Sequence, residues 1–428
     1  MSNFKRLCLL GAASCGILSM TAEAQNENYY SREKYESVRD RPQPAFDPEP
    51  IRVGTFLVRS NANGSVTYID NVLATDADTQ SDVIARVGVQ GTARTNWNVH
   101  ELSFDASASH NEYLDTDSES TNDIRAVARG RFDVSRDFHL GGSLFVESEA
   151  EPRTDVANSV GLDAPVEVVR TGGGLEATYQ SDRFRWNNAA DFAEHDYKDG
   201  RITGSGLPFD QDYRDVQITS ALSRLSYALT PNVAVFGQAT VRERSYDQTQ
   251  TLGGVQRSRD STGYTAAVGV DFELNALVRG DVAVGYMQEN KKDSFFKDVD
   301  GLSVDARMQW FPSRLTTVGF SAGRRVVDIG LFESPSALQT SGSVRVDHEL
   351  RRNIILSADA VYSSYDYQEI DRTDDVAEFG VTATYKMNKR MQFDAFARHT
   401  NRDASGSQVS GSPSYDVNVI GVGLRIYP

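Results

Sequence analysis

Ser343–Tyr362, SVRVDHELRRNIILSADAVY, holds two alternating runs and the break between them in twenty residues. Side chains of an extended chain point alternately to two faces. Val344, Val346, His348 and Leu350 therefore share one side, and Ser343, Arg345, Asp347 and Glu349 share the other. After Arg351–Asn353 the alternation resumes: Ile354, Leu356, Ala358, Ala360 and Tyr362 are on the apolar side, Ser357 and Asp359 are on the polar one, and Ile355 and Val361 break the pattern. The spacing predicts a β-hairpin. A single hairpin suits a soluble sandwich as well as a membrane barrel, so the decision rests on repetition.

From Ile51 onward short and long breaks take turns. Short turns are expected near Thr92–Asn96, Ser135–Asp137, Ser181–Asp182, Thr230–Asn232, Asn275–Ala276, Pro312–Ser313, Arg351–Asn353 and Asn388–Arg390. Longer polar stretches fall between them, near Asp70–Gln80, Asn111–Thr121, Glu151–Pro165, Lys198–Gln211, Asp247–Asp260, Asn290–Lys297, Asp328–Ala337, Gln368–Thr373 and Arg402–Pro413. Eight turns and nine loops connect eighteen strands and leave both chain ends on the short-turn side. The expected fold is all-β: a closed antiparallel transmembrane barrel of about 18 strands, with short periplasmic turns and long extracellular loops. A solenoid would repeat more closely and need not alternate long with short connections. Tyr179, Phe184, Tyr227, Phe272, Trp310, Tyr385 and Phe393 lie near short turns, and Tyr197, Tyr246, Tyr286, Tyr362 and Tyr367 near long loops. Two aromatic girdles are expected from this placement.

Composition agrees with a barrel. The mean hydropathy is -0.44, yet the chain carries 18 Tyr, 20 Phe and 33 Gly. No run after residue 25 approaches the roughly 18 apolar residues of a spanning helix. The net charge of -16 argues against a nucleic-acid partner. At the start, Lys5 and Arg6, the apolar Leu7–Met20 and Ala22-Glu23-Ala24 form a secretory signal peptide over residues 1–24. Lipid attachment at Cys15 is the competing reading, but the leucine expected three places earlier is missing. Both cysteines, Cys8 and Cys15, lie in this segment, so neither a disulfide nor thiol chemistry is expected in the processed chain. Residues 25–50 carry Pro42, Pro44, Pro48 and Pro50 with few aliphatics. They read as a flexible periplasmic arm, either a spacer or a tether to a periplasmic protein, with the barrel spanning residues 51–428.

The runs PIRVGTFLV from Pro50, YIDNV from Tyr68, WFPSRLTTV from Trp310 and RVDHELRRNIILSA from Arg345 together resemble the outer-membrane beta-barrel porin 2 family of proteobacteria. The resemblance covers the chain from Pro50 to its end and rests on turns and strand ends rather than on a chemical site. It implies an outer-membrane conduit for an extracellular polysaccharide or oligosaccharide, served by periplasmic export proteins. One departure is the terminus Leu424-Arg425-Ile426-Tyr427-Pro428, where proline follows the aromatic residue on which such barrels commonly end.

If the apolar faces meet lipid and lipopolysaccharide, the opposite faces line a lumen. The lining candidates are Arg86, Arg125, Arg129, Arg242, Arg279, Arg307 and Arg345, with Asp281, Asp305, Asp347, Asp359 and Glu378. Of the 44 basic residues, 36 are arginine, whose planar fork binds carboxylates with two bonds. Such a wall is either a set of stiffening ion pairs or a track for sugars and anions, and a barrel of this size leaves an aqueous lumen. No enzyme, catalytic residue, metal site or cofactor is expected. His348-Glu349 begins a zinc-protease motif, but Arg352 stands where the second histidine belongs. Asp115-Thr116-Asp117-Ser118-Glu119 imitates a calcium loop without its glycine and its final glutamate. The expected function is an export channel, with a general diffusion porin and a plugged structural or adhesive barrel as alternatives.

Overall fold

The computed structural model describes residues 36–156, 161–275, 277–407 and 414–428. The expected signal peptide, both cysteines, the first part of the arm, the tip of the last long loop and Ala276 of one short turn lie outside them. The period-two pattern forms eighteen long barrel strands among the described residues. They are β1 Phe56–Ile69, β2 Asp82–Thr95, β3 Glu101–Tyr113, β4 Thr121–Asp133, β5 Phe138–Ala150, β6 Glu167–Ser181, β7 Phe184–Tyr197, β8 Val216–Thr230 and β9 Val233–Tyr246. They continue as β10 Ser261–Leu274, β11 Val278–Lys291, β12 Val299–Ser313, β13 Thr316–Asp328, β14 Ser336–Arg351, β15 Ile354–Tyr367, β16 Thr373–Asn388, β17 Met391–Ser405 and β18 Tyr415–Ile426. Each strand pairs antiparallel with its sequence neighbours, and β1 pairs with β18 from Ala62↔Ile426 to Ile69↔Val419. Closure removes the edges that an open sheet would expose. Below that contact, Phe56–Val58 of β1 pair instead with the short strand Ile51–Val53, which fills the seam at the short-turn end.

The turns follow local chemistry. Asp182 and Asn275 sit in short turns at φ 41 and 52, a left-handed conformation that Asp and Asn tolerate. Register shifts fall at the short-turn ends of four strand pairs, as between Glu349 and Arg351; bulges gather at barrel rims in this way. Val66, Val87, Val89, Leu144, Leu175, Val268, Val381 and Ile420 stand exposed on the outside, where water would penalise them and lipid would not. Phe184 and Tyr227 meet at 4.9 Å near one short turn, and Tyr385 and Phe393 at 6.4 Å near another. The girdle at the long-loop end is thinner than expected. Tyr286 and Tyr362 are exposed there, but Tyr197, Tyr246 and Tyr367 are buried inside. Their parity along the strand is that of the inner face, and arginines cover their rings: Arg214 over Tyr197 at 4.0 Å, Arg259 over Tyr246 at 5.1 Å and Arg372 over Tyr367 at 4.7 Å.

The arm is not free over residues 36–50. It makes tight turns at Ser37–Arg41 and Gln43–Asp47 and runs beneath the barrel. The Val38 N–H donates to Thr317 Oγ1 at 3.0 Å, Arg39 meets Asp347 at 3.4 Å, Arg41 meets Glu349 at 2.9 Å, and Lys386 meets Asp47 at 2.9 Å. Proline and charge made it read as solvated. The inner face of β13 to β16 offers complementary charge, and that is what seats it.

Candidate functional site

Inside the barrel lies a cavity of about 2140 Å³. Its wall is the inner face of the strands, its floor includes Arg39, Asp40, Phe46 and Asp47 of the arm, and Glu151, Arg153 and Thr154 contribute from the opposite end. Those last residues belong to the long loop between β5 and β6, and they are far from home. Val156 packs with Val327, Ile329, Ala337 and Tyr367 of the β13–β16 wall, and the Tyr415 hydroxyl of β18 donates to Thr154 O at 2.7 Å. Strands nine places apart in a ring of eighteen are diametrically opposed, so this loop crosses the opening.

A second loop, residues 329–335, meets it there. The ladder between β12 and β13 stops at Val304↔Arg324 although both strands continue. Above that point Val326 and Leu338 pack against Met287 and Val299, so the ends of β13 and β14 lean over the inner face of β11 and β12. Asp328 thereby reaches Arg259 at 3.1 Å. The Tyr213 hydroxyl donates to Gly330 O at 2.8 Å and its ring stacks on Phe332 at 4.0 Å. Arg214 completes this roof by gripping Glu151 with both terminal nitrogens, at 3.0 and 2.6 Å. Burial opposes the Arg214 charge, but the Glu151 carboxylate outweighs it and holds the guanidinium well above its ordinary pKa. Next to it, burial and the carboxylates of Asp196, Asp212 and Asp247 push Asp215 up to about 6, against the stabilising N–H of Tyr197.

The resemblance to a calcium loop is explained otherwise. Asp82 accepts the N–H groups of Leu114, Asp115 and Thr116 at 2.9 to 3.1 Å, and Glu119 is held by Arg153 at 2.9 and 2.6 Å. These contacts shape the loop and tie it to the roof. Among the described residues the acidic trio close enough to share an ion is Asp199, Asp210 and Asp212, which is largely exposed.

A family model described as Putative beta-barrel porin 2 matches residues 43–427. The chain belongs to this family. No curated protein matches the sequence. Among solved structures, the copper transporter OprC is 12% identical, covering 89% of this chain and 81% of its own at a TM-score of 0.49. OccK2 (OpdF) of Pseudomonas aeruginosa, solved with glucuronate, is 9% identical, covering 86% and 98% at a TM-score of 0.47. These low identities carry no information on the solute.

The porin 2 chain places the lumen candidates in two groups. Arg86, Arg125, Arg129, Arg242, Asp305 and Arg307 line the cavity. Arg279, Asp281, Arg345, Asp347, Asp359 and Glu378 share the inner face and are taken up in contacts there, without themselves being among the lining residues. Arg279 donates to Gln309 at 2.8 Å, Asp281 meets Arg307 at 3.4 Å, Arg345 meets Asp347 at 3.3 Å and Asp359 at 3.8 Å, and Glu378 meets Arg398 at 2.8 Å. Along the lining, Asp105 pairs with Arg129, Glu147 with Arg125, Glu149 with Arg170 and Glu101 with Arg94. Asp191 lies by Ser220 and Asp394 by Thr384 and Gln392 instead. Arg59, Arg242 and Arg425 also line the cavity, yet their side chains make no hydrogen bond or ion pair among the described residues. The wall of β1 to β3 is different again. Asn61, Asn63, Ser65, Gln90, Thr92, Ser107, Ser109 and Asn111 form a polar stripe along the cavity around Arg86, with Asn61 donating to Gln90 at 3.4 Å.

Arg59, Arg94, Arg170, Arg398 and Arg425 escaped the sequence reading, although period-two parity offered a signal: Arg398 is four residues from Asp394 on β17. Arg224, stacked 3.5 Å over Phe236 on the inner face, had the same signal. The roof arginines Arg153, Arg214 and Arg259 had none, because loop residues carry no periodicity.

Proposed function

We propose that this protein is a gated outer-membrane channel for saccharides and other hydrophilic solutes. The observation that carries the proposal is the cavity itself, a charged and hydroxyl-rich lumen inside an apolar belt, narrowed at each end by a segment of the same chain. Amides and hydroxyls of the β1–β3 stripe match sugar hydroxyls, and weak exchangeable contacts of that kind let a solute advance. The arm and the crossing loops are docked by side chains rather than by ladders, which suits parts that must move aside. The function is passage across the membrane, not catalysis, after export from the cell interior under a cleaved leader.

Export of an extracellular polysaccharide, implied by the family resemblance, is the second reading, and the polar stripe favours it. Under that reading a periplasmic export component would engage the arm. Conductance in planar bilayers, with oligosaccharides added as blockers, tests the channel: discrete current steps reduced by sugar are expected, and a silent protein in every voltage range would refute it. Deletion of the gene with measurement of surface polysaccharide separates the two readings, since unchanged polymer output alongside retained conductance leaves diffusion alone.

A further inference from the structure

Arg242 is one of the wall cations that the fold leaves without a side-chain partner. It stands on β9 opposite Ser220 of β8 and Gly263 of β10, and it lines the cavity. Its Nε is sealed from solvent with no acceptor, and no described residue forms a hydrogen bond or ion pair with its side chain. The charges that reach it are Arg244, Glu289 and Arg325. Glu289 reaches it electrostatically but makes no hydrogen bond or ion pair with it; its Oε1 is held by Arg244 and by the Ser261 hydroxyl at 2.8 Å, with Lys291 at 3.6 Å. Arg325 donates only to the neutral Gln339, at 2.9 Å. Two guanidiniums within electrostatic reach of one another, neither hydrogen-bonded to a carboxylate, lie just beneath the roof where Asp328 meets Arg259. An unpaired charge in a confined space costs stability, as at the sealed Arg242 Nε, and Arg325, exposed to the lumen, adds a second positive charge, so the pair is complementary to an anion. Around Arg242 the cavity lining supplies the neutral groups Gln238, Thr240 and Thr265, and Ser220, whose hydroxyl is hydrogen-bonded to the lining carboxylate of Asp191.

We infer that Arg242 and Arg325 form a subsite for the oxyanion of a hydrophilic solute, the carboxylate of an acidic sugar or a sulfate group, with the flanking hydroxyls and amide binding the rest of the molecule. This rests on the lumen being a solute path and names the class of solute that it holds longest. Guanidinium binds a planar carboxylate with two bonds, and a lone pair of arginines with no buried counter-ion binds weakly enough to release it. The paired arginines lower in the wall, such as Arg129 with Asp105 at 2.8 Å, offer no comparable site.

Phenylglyoxal modification of the full-length protein in detergent, mapped by mass spectrometry, tests this without requiring passage. The Arg242 peptide should be modified several-fold faster than those of Arg129 and Arg307, and galacturonate or inorganic sulfate should slow it several-fold where galactose does not. In bilayers, Arg242→Gln should shift the reversal potential in a salt gradient towards cation preference, while Arg201→Gln on the exposed loop between β7 and β8 should leave it unchanged. Heat-modifiability on gels verifies that each variant is folded; should Arg242→Gln fail to fold, Arg325→Gln serves in the same assay. Equal slowing by galactose, or no slowing by either anion, overturns the inference even if neutral sugars pass. Protection by anions in a protein that conducts nothing would uphold the subsite and refute the channel.

Discussion

Arg214 and Glu151 retain 6% and 3% of their side-chain exposure, and each is the other's main charged partner. Removing one member of such a pair strands the other in a poorly solvated place, a cost of roughly 3–5 kcal/mol. Arg214→Met is therefore expected to release the loop between β5 and β6 without disturbing the barrel ladder, and faster tryptic cleavage after Arg153 with unchanged heat-modifiability would show it. Asp215 gives the same roof a pH dependence. Its carboxyl, raised to about 6 in the docked loop, takes up a proton on docking. The contribution is complete below the free carboxyl value of about 4 and is lost as pH rises through about 6. Proteolysis of the loop between β7 and β8 should be slower at low than at neutral pH, and Asp215→Asn should remove the difference; equal rates for the parent protein at both would contradict it. At this scale the sequence was readable wherever alternation applied. Asp281, Asp347 and Glu378 could be assigned to a face by counting from Val284, Val346 and Phe379. Counting also shows why Tyr197, Tyr246 and Tyr367 mislead: nearness to a loop says how high a residue sits, and only parity says on which side of the wall.

Among the elements, strands and turns were legible because each is dictated locally. A two-residue break such as Asp182-Arg183 between β6 and β7 needs only residues that tolerate the turn. The outer sides of β9 and β10, with Val235, Val241, Val268 and Val270, declare themselves in a single window. The arm and the two crossing loops were not legible, because what seats them is chemistry supplied by strands hundreds of residues away: Thr317, Asp347 and Glu349 for the arm, Tyr367 and Tyr415 for the β5–β6 loop. The carboxylates that hold Arg39 and Arg41 are nearly buried while the arginines stay about a quarter exposed, and side chains rather than a ladder seat residues 36–50, so the arm can be removed without breaking the wall. Deleting residues 36–50 is expected to raise single-channel conductance. Linking Val38→Cys to Thr317→Cys, in a chain whose other cysteines are replaced, should lower it until a reductant is added. Conductance indifferent to both changes would mean that the floor lies outside the path.

Over the whole molecule the two faces of every strand must meet different solvents. Leu144, Leu175, Val268 and Ile420 are 69%, 72%, 71% and 61% exposed, too much apolar surface for a protein standing free in water, while charge is concentrated inside and carries most of the ion pairs. Positions 281 and 284 of β11 test this with one pair of labels. Val284 faces outward at 44% exposure, and Asp281 faces Arg307 across the inner wall at 3.4 Å. Because Arg307 also meets Asp305 at 3.3 Å, Asp281→Cys leaves that arginine a partner and should fold. In reconstituted vesicles, a membrane-impermeant charged maleimide is expected to label Asp281→Cys through the lumen and to spare Val284→Cys, while a lipid-soluble maleimide should favour Val284→Cys. Arm deletion should speed the first reaction and leave the second alone, since only the inner position is reached past the floor. The reverse pattern would place water where the belt is and lipid where the ion pairs are. No rearrangement of loops could reconcile that with a closed eighteen-strand wall.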